Sequence, residues 1–325
     1  MKASYFRLIL YRTRKLIWIW VTLVAAAEPM LAVEGGLGRT LPGAWVLPQG
    51  AVVGPEPGFS FTTLAIGYMG SIGGARLDPI AGTIYENVEA NISENLLIPQ
   101  YVYKTETRKI SLASSFMGVV NWVGASGSLQ FESHKERMNS ANAGAGDMIA
   151  VPLTVGIHFS ENNNLAISTW FFPPTGQFTK NNLSNLGMGL WTIMPNVAHT
   201  LMWKKRRLEF DTFMGFDIYR HNQTTNYTSG TVFHWETMAI HHLSNKVGFG
   251  AIGSNVTQIT NDSGPLADSL HGFQGRAWGV GPIVLYVAKV QKPEVVLHLR
   301  WVDQFRVTNL MKGSTLLFGL TVTLN

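Results

Sequence analysis

A strict alternation of side chains, beginning at Val151, constrains the fold of this chain more than any other feature. Apolar residues fill every second position from Val151 to Phe159, and the positions between them are mostly polar or small. A period of two residues is the pattern of a β-strand with one apolar and one polar face. The polar residues 161–164 then predict a turn, and a second apolar run ends at Pro173 and Pro174. The stretch predicts a β-hairpin with a short turn at one end and a long loop at the other.

The same pattern recurs along the chain and predicts twelve strands. Their predicted bounds are 58–71, 95–104, 108–121, 149–159, 165–172, 190–203, 208–220, 230–243, 246–260, 273–288, 294–307 and 313–325. Short turns alternate with long polar loops, which are predicted near 72–94, 122–148, 173–189, 221–229 and 261–272. An even strand number with short turns on one rim and long loops on the other is typical of outer-membrane barrels. We therefore predict an all-β fold, an antiparallel transmembrane β-barrel of the outer-membrane type with about 12 strands, over residues 58–325.

Residues 1–32 have the pattern of a secretory signal peptide, with five basic residues before the apolar stretch Leu16–Ala27. Cleavage after Ala27 and cleavage after Ala32 both fit, and Pro29 favours the later site. Without this leader, 25 − 5 = 20 basic residues face 20 − 1 = 19 acidic ones. The high pI of 9.4 is thus mostly a property of the leader, and it gives no support for nucleic-acid binding. The chain has no cysteine, which excludes a disulfide scaffold and thiolate metal sites.

Residues 33–57 contain too many glycines and prolines for regular structure. We interpret them as an ordered segment without secondary structure that could enter the barrel as a plug. Because the termini of such a barrel face the periplasm, we expect this plug or gate on the periplasmic side.

Charged side chains at alternate strand positions are expected to line the lumen, since hydrocarbon is a poor solvent for charge. Asp303 conflicts with this parity, and we expect it near the extracellular rim. The predicted lumen-lining residues are His158, Asn196, Glu209, Asp211, Asp217, His234, Glu236, His298, Arg300, Gln304 and Arg306.

Three patterns could indicate chemistry, and we favour a structural interpretation of each. The glycines of GFGAIG at 248–253 match a dinucleotide-binding pattern, but they lie inside a predicted strand with no helix after it. His234, Glu236 and His242 share one face, yet polar lumen residues explain them better than a metal site. Ser133 and His134 lie in a predicted loop, without an Asn partner for lipase-like catalysis. We therefore expect no enzymatic activity, no cofactor and no metal site.

Several motifs along the mature chain are familiar as a set. They are EGGLGR (34–39), PEPG (55–58), GDM (146–148) ahead of PLTVGIHF, FFPPTGQF (171–178), TNDSG (260–264), GRAWGVGP (275–282) and the stretch 300–305. Over about Glu34 to Asn325, their order and spacing resemble the family of bacterial outer-membrane proteins linked to the meta-cleavage pathway of phenol degradation. The resemblance implies an outer-membrane barrel that helps aromatic compounds enter the cell. It supplies no catalytic or binding residues.

The expected function is an outer-membrane channel or transporter for small hydrophobic or aromatic compounds. A structural or adhesive barrel whose long extracellular loops bind a partner is the alternative. The expected partners are outer-membrane lipid, small hydrophobic or aromatic molecules and, during insertion, the barrel-assembly machinery, with no nucleic acid. The last strand, with Gly319, Val322 and Leu324, resembles the C-terminal signal that this machinery recognises, although Asn325 stands where an aromatic residue is more usual. We expect a monomer.

Overall fold

The computed structural model describes residues 34–54, 56–131, 134–269, 274–289 and 293–324. The predicted signal peptide, its two candidate cleavage sites and Ser133 lie outside the described residues. Within those ranges, no helix combines the length and the apolar character needed to cross a membrane.

Antiparallel β-strands account for most of the described chain. The strands are β1 (Gly58–Ile80), β2 (Thr83–Tyr103), β3 (Ile110–Phe131), β4 (His134–Ala145), β5 (Ile149–Ser160), β6 (Asn163–Phe172), β7 (Thr192–Trp203), β8 (Leu208–Tyr219), β9 (Val232–His242), β10 (Val247–Gln258), β11 (Arg276–Lys289), β12 (Glu294–Thr308) and β13 (Lys312–Thr323). One short helix, α1 (Pro265–Ser269), lies between β10 and β11.

Twelve of these strands close into a barrel. From β5 onward each strand pairs with the next, and closure runs from β13 through β1, β2 and β3 back to β5. The edge of β3 that faces β5 has two partners. The first half of β3 pairs with β5, and the second half, residues 120–131, pairs with β4, which folds back on it. The prediction of a twelve-stranded antiparallel barrel is confirmed.

Two of the predicted loops, 72–94 and 122–148, are wrong, because most of their residues extend β1, β2 and β3 or form the additional strand β4. β1 and β2 stay paired up to a two-residue turn at Ala81 and Gly82, where φ is 48° and 85°. Positive φ at both central residues is the backbone of a tight hairpin turn. The outward residues of this hairpin, such as Glu89 and Asn91, are polar, so a search for strands with an apolar outer face misses the extension.

The wall of the barrel is apolar outside and mixed inside. In β13, Leu316 and Phe318 are 54% and 42% exposed, whereas Leu317 between them is fully buried. In β8 the buried positions include Glu209 and Asp211. An apolar outer belt around an interior that holds charges is the arrangement of a barrel surrounded by lipid.

The glycines of the GFGAIG stretch lie within β10 and allow neighbouring strands to approach closely. A Cβ atom at Gly250 would lie 1.9 Å from the carbonyl oxygen of Ala239 in β9. No larger residue fits there without moving the backbone, which accounts for a glycine at this position.

Candidate functional site

The N-terminal segment, residues 34–54, runs through the barrel from the long-loop rim to the short-turn rim. At the long-loop rim, the backbone N–H of Gly82 donates to Glu34 Oε1 at 3.1 Å. At the other end, a Cβ atom at Gly156 in β5 would lie 2.9 Å from the Cβ of Val53. The sequence led us to expect residues 33–57 as a plug or gate on the periplasmic side, whereas residues 34–54 extend along the lumen from one rim to the other.

Arg39 anchors the segment near the long-loop rim. Its Nη1 lies 2.7 Å from Oδ2 of Asp147, and its Nε donates to Thr192 Oγ1 at 3.1 Å. Its Nη2 donates to the carbonyl of Leu190 at 3.2 Å, and the guanidinium lies 5.1 Å from the ring centre of Phe172. The side chains of Arg39 and Asp147 are 8% and 1% exposed. Loss of either partner would leave the other charge buried and unpaired.

Glu236 and Arg300 form a clamp on the middle of the segment. The carboxylate of Glu236 accepts three backbone N–H groups, from Ala44 at 3.1 Å, Trp45 at 2.9 Å and Val46 at 2.7 Å. Arg300 donates to the carbonyls of Ala44, at 2.9 Å, and Val46. A buried stretch without secondary structure needs partners for its backbone groups. The barrel wall supplies them here through a pair of opposite charges.

A pair of carboxylates in β8 holds the segment closer to the short-turn rim. The backbone N–H of Gln49 donates to Glu209 Oε1 at 3.0 Å and to Asp211 Oδ1 at 3.1 Å. His242 Nε2 lies 2.6 Å from Glu209 Oε2, and Thr200 Oγ1 donates to Asp211 Oδ1 at 2.7 Å. These carboxylates thus act as acceptors for the segment.

Most of the predicted lumen residues point inward, and several contact the segment. Asp217 accepts a hydrogen bond from Thr40 at 3.0 Å, and Gln304 accepts one from the backbone N–H of Gly313 at 2.7 Å. His158 is half-buried and hydrogen-bonds Ser111 at 2.8 Å. The buried members of the predicted set are Asn196, Glu209, Asp211, Asp217, His234, Glu236, His298, Arg300 and Gln304.

Arg306 is the member of the predicted set that the structure places on the outer face. It is exposed and pairs with Trp278, which is 38% exposed on the outside of β11. The ladder between β11 and β12 shifts register between Trp278 and Gly279, leaving Phe305 as an extra residue. One inserted residue reverses the parity of every later position, so counting by twos from the sequence assigns Arg306 to the wrong face.

A cavity of about 1080 Å³ occupies the lumen between the segment and the short-turn rim. Trp45, Trp170 and Phe213 contribute an aromatic wall, and the lining continues to Lys204 and Glu294 at the rim. The cavity is at the upper end of the volumes that hold drug-sized ligands.

The aromatic wall of the cavity is built by ring contacts between the segment and the barrel. Trp45 meets Trp170 edge to face at 5.2 Å and Phe172 at 6.5 Å. Trp170 also packs against Phe213 at 5.3 Å. Such contacts add to the stabilisation from area burial alone. The segment therefore forms part of the cavity wall as well as its end.

The long-loop side of the lumen has much less empty space than the short-turn side. There, a void of about 20 Å³ lies between residues 36–42 and strands β8 to β12 in the described part of the chain. That space holds about one water molecule. The loop 173–191 covers this side, with Leu183, Leu186 and Leu190 buried.

Glu34 and its neighbours form a buried polar group beneath the long loops. Burial raises the pKa of the Glu34 carboxyl to about 7, and the charge of Asp262 adds to the rise, while hydrogen bonds from Thr225 and Gly82 oppose it. Burial also raises the pKa of Tyr227, whose hydroxyl donates to Asp262.

The three residues that we considered as a metal site contact different partners. Glu236 binds the segment backbone and His242 binds Glu209, whereas His234 stacks on Phe213 at 5.6 Å between ring centres. Among the described residues, no group of three or more His, Asp or Glu side chains has the arrangement of a metal site.

The sequence reasoning missed Arg39 and Asp147, which join the segment to the barrel. Both lie within motifs that the sequence singled out, EGGLGR and GDM. A lone cation in a segment rich in Gly and Pro was the available signal, because such a charge needs a partner when the segment is buried.

The family model described as "Putative MetA-pathway of phenol degradation" matches residues 78–319. The chain belongs to this family. Because the match covers most of the barrel, the resemblance inferred from short motifs is confirmed. No curated protein matches the chain.

The barrel fold is shared with a solved structure. An outer membrane channel from Pseudomonas putida F1 matches with a TM-score of 0.65 at 12% identity, over 87% of this chain and 99% of that one. A Pseudomonas aeruginosa FadL homologue matches with a TM-score of 0.44 at 9% identity, over 92% and 100% of the two chains. The CymD monoaromatic hydrocarbon channel matches at 0.41 and 8%, over 91% and 98%. With its closed wall and apolar belt, this member of the family is a protein of the bacterial outer membrane, as predicted.

Proposed function

We propose that this protein carries small hydrophobic molecules, aromatic compounds among them, across the outer membrane, and that the N-terminal segment gates the route. The observation that carries the proposal is the cavity of about 1080 Å³ with its aromatic wall, closed at one end by the segment. The family's association with phenol degradation supports aromatic compounds as cargo. The activity is transport rather than catalysis.

The filled half of the lumen accounts for selectivity against water-soluble molecules. A hydrophilic solute that follows the barrel axis would have to replace the hydrogen bonds that Glu236, Arg300 and Arg39 make with the segment or its surroundings. An apolar molecule gains from contact with Trp170 and Phe213 once it reaches the cavity. The arrangement therefore favours apolar cargo over ions and sugars.

Entry along the barrel axis requires the segment to move, because the void beside it has room for about one water molecule. A second route would cross the wall at β5. Pro152 lies in that strand, and the ladder between β5 and β6 lacks regular pairs between Ala150 and Thr154. A disulfide that tethers the segment to the wall would block the axial route and leave the route through β5 open.

We further propose that the barrel inserts as a monomer with help from the barrel-assembly machinery. Alternating exposed apolar residues in β13, such as Leu316 and Phe318, support recognition of this last strand. The same belt supports contact with lipid around the barrel.

Uptake of radiolabelled toluene at limiting concentration tests the transport proposal. A strain without the protein should take up toluene several-fold more slowly than the parent, with unchanged uptake of a hydrophilic sugar. Equal rates of toluene uptake in the two strains would contradict transport.

A matched pair of substitutions connects uptake with the cavity. Ala198 lines the cavity, whereas Leu316 faces lipid. Ala198→Phe should slow toluene uptake, because its ring occupies cargo space, and Leu316→Phe should leave the rate unchanged. If both variants behave like the parent at equal protein levels, cargo does not use the cavity.

A further inference from the structure

Three basic residues lie on neighbouring strands of the outer wall, where β11, β12 and β13 reach the long-loop rim. Arg276 begins β11, Arg306 lies two residues before the end of β12, and Lys312 begins β13. All three side chains are exposed. The turn 309–311 joins β12 to β13, so Arg306 and Lys312 flank the same short connection.

The register of the strands places these three residues on the outer face of the barrel. Arg306 pairs with Trp278 in β11, which faces outward, and Arg276 lies two residues before Trp278. Lys312 lies four residues before Leu316, which also faces outward in β13. Since successive side chains of a strand point to opposite faces, an even separation keeps two residues on one face. The three positive charges are therefore directed away from the lumen.

An apolar surface continues from these cations toward the middle of the membrane. Its residues are 38% to 54% exposed, and they are Trp278 and Val280 in β11, Trp301 and Phe305 in β12, and Leu316 in β13. At about 3.3 Å per residue, Leu316 lies roughly 13 Å from Lys312 along β13. Tryptophan is enriched where such a wall meets the headgroups of the membrane. This part of the wall thus presents positive charge at the membrane surface and apolar side chains next to it.

The three cations have no anionic partner within the part of the chain that the structure describes. None of the ion pairs formed there includes them. Asp303 also faces outward in β12, where its carboxylate accepts a hydrogen bond from Ser314 Oγ. By contrast, Arg137 on the hairpin β3–β4 pairs with Glu89 at 2.8 Å. The surface on β11 to β13 therefore keeps an excess of positive charge that an anion from outside the chain can neutralise.

We propose that this surface, which consists of Arg276, Arg306 and Lys312 with Trp278 and Phe305 beside them, binds a phosphorylated glycolipid of the outer leaflet, the lipid A part of lipopolysaccharide. The long loops of such a barrel face the outside of the cell, so the outer leaflet is the lipid layer at this rim. The guanidinium groups match the oxygen atoms of a phosphate group, and Lys312 adds a third positive charge.

Both parts of lipid A have a counterpart on this surface. Neighbouring strands are about 4.8 Å apart, so one headgroup with more than one phosphate can reach cations on different strands. The acyl chains of the same molecule lie along Trp278, Phe305 and Leu316, where they replace contacts with other lipid chains. A free phosphate ion would meet the cations and leave the apolar surface unused.

Native mass spectrometry of the protein, refolded in detergent and mixed with lipid A, tests the proposal. The triple variant Arg276→Gln, Arg306→Gln and Lys312→Gln should bind lipid A roughly 100-fold more weakly than the parent, because each cation near an anionic lipid surface contributes to the attraction. Heat-modifiable migration on a gel verifies that the variant is folded. Equal binding by the parent and the folded triple variant would overturn the proposal.

A second triple variant at the opposite rim is the matched control. Lys205, Arg206 and Lys246 are exposed in the short turns after β7 and β9. Their replacement by Gln removes the same net charge and should leave the affinity for lipid A within about twofold of the parent. Equal weakening in the two triple variants would show attraction to the total charge of the protein, and it would overturn the assignment to β11 to β13.

Three further ligands distinguish lipid A from other sources of an anionic group. Dephosphorylated lipid A should bind the parent roughly 100-fold more weakly than lipid A does. Inorganic phosphate that binds with the same dependence on the three cations and displaces lipid A would assign the surface to free phosphate. Phosphatidylglycerol with the affinity of lipid A would assign it to any anionic lipid. Either of the last two results would overturn lipid A as the partner.

Single substitutions at Arg306 keep the proposal testable if the triple variant does not fold. Arg306→Gln should weaken the binding of lipid A roughly fivefold. Arg306→Lys should weaken it less, because lysine keeps the charge but lacks the paired donors of the guanidinium group. Unchanged binding in Arg306→Gln would overturn the proposal.

Discussion

The barrel wall has different roles in the two halves of the lumen. In the half near the long-loop rim, the N-terminal segment binds the wall through Arg39, and the clamp of Glu236 and Arg300 binds the segment. In the half near the short-turn rim, the wall leaves a cavity of about 1080 Å³ beside Trp45 and Trp170. The lumen is therefore closed by specific polar contacts, whereas the space available for cargo is mainly apolar. Four predictions test this division.

Removal of the whole segment should have the largest effect. A barrel without residues 34–54 loses the filling of its closed half, so its single-channel conductance in a planar bilayer should rise roughly tenfold, toward that of an open twelve-stranded pore. Retained heat-modifiable migration on a gel verifies that the barrel is folded. Removal of the tip of the hairpin β3–β4 is the control, and it should leave the conductance low. Unchanged conductance without the segment would mean that other elements close the lumen.

Loss of the clamp should have the next largest effect. Glu236→Ala leaves the backbone N–H groups of Ala44, Trp45 and Val46 without their acceptor. A buried donor without an acceptor costs about 1–3 kcal/mol. The midpoint of unfolding in denaturant should fall, with more frequent channel openings. The midpoint should fall less in Glu236→Gln, which keeps an acceptor. An equal loss of stability in both variants would indicate that hydrogen bonding to the segment is unimportant.

Added volume should distinguish the filled half from the open half. Ala277 borders the void of about 20 Å³ and is 3% exposed, whereas Ala198 borders the large cavity. Ala277→Phe should destabilise the barrel by about 1–3 kcal/mol, because the packing there has no room for a ring. Ala198→Phe should leave the unfolding midpoint nearly unchanged. Similar destabilisation by both would remove the contrast between the halves.

The smallest effect is expected at Gln49, where φ is 53°. Glycine adopts this conformation readily, and Gln49 contacts Glu209 and Asp211 through its backbone N–H. Gln49→Gly should therefore be neutral, or stabilise by up to about 1 kcal/mol, in thermal unfolding. A clear loss of stability would show that the side chain, rather than the backbone, holds the segment.

The membrane-spanning wall could be predicted from the sequence, and the parts outside it could not. Leu316 and Phe318 alternate with Thr315 and Gly319 because one face meets lipid and the other meets the lumen, so periodicity predicts the strand. Beyond the membrane, β2 keeps buried apolar residues such as Val88 and Ala90, but its outward residues, such as Glu89 and Asn91, are polar. The belt of outward apolar residues therefore ends before the strand does.

Two features of the candidate site also could not be predicted from the sequence. The face of Arg306 depends on one extra residue in a ladder, and no pattern in the chain marks that register shift. The path of residues 34–54 depends on contacts between distant parts of the chain, such as Arg39 with Asp147. The Gly and Pro content indicates absence of regular structure, but it does not say where such a segment lies.

A disulfide tether between the segment and the wall tests the gate most directly. The chain has no cysteine, and a Cβ atom at Gly43 would lie 3.4 Å from the Cβ of Val302, close to the separation in disulfides of about 3.5–4.5 Å. Cells that carry Gly43→Cys with Val302→Cys are assayed for toluene uptake before and after reduction, with each single variant as a control. If the segment must move, uptake should be lost in the oxidised protein and return on reduction. Equal uptake in the two states would contradict a gated axial route and favour entry through the wall at β5.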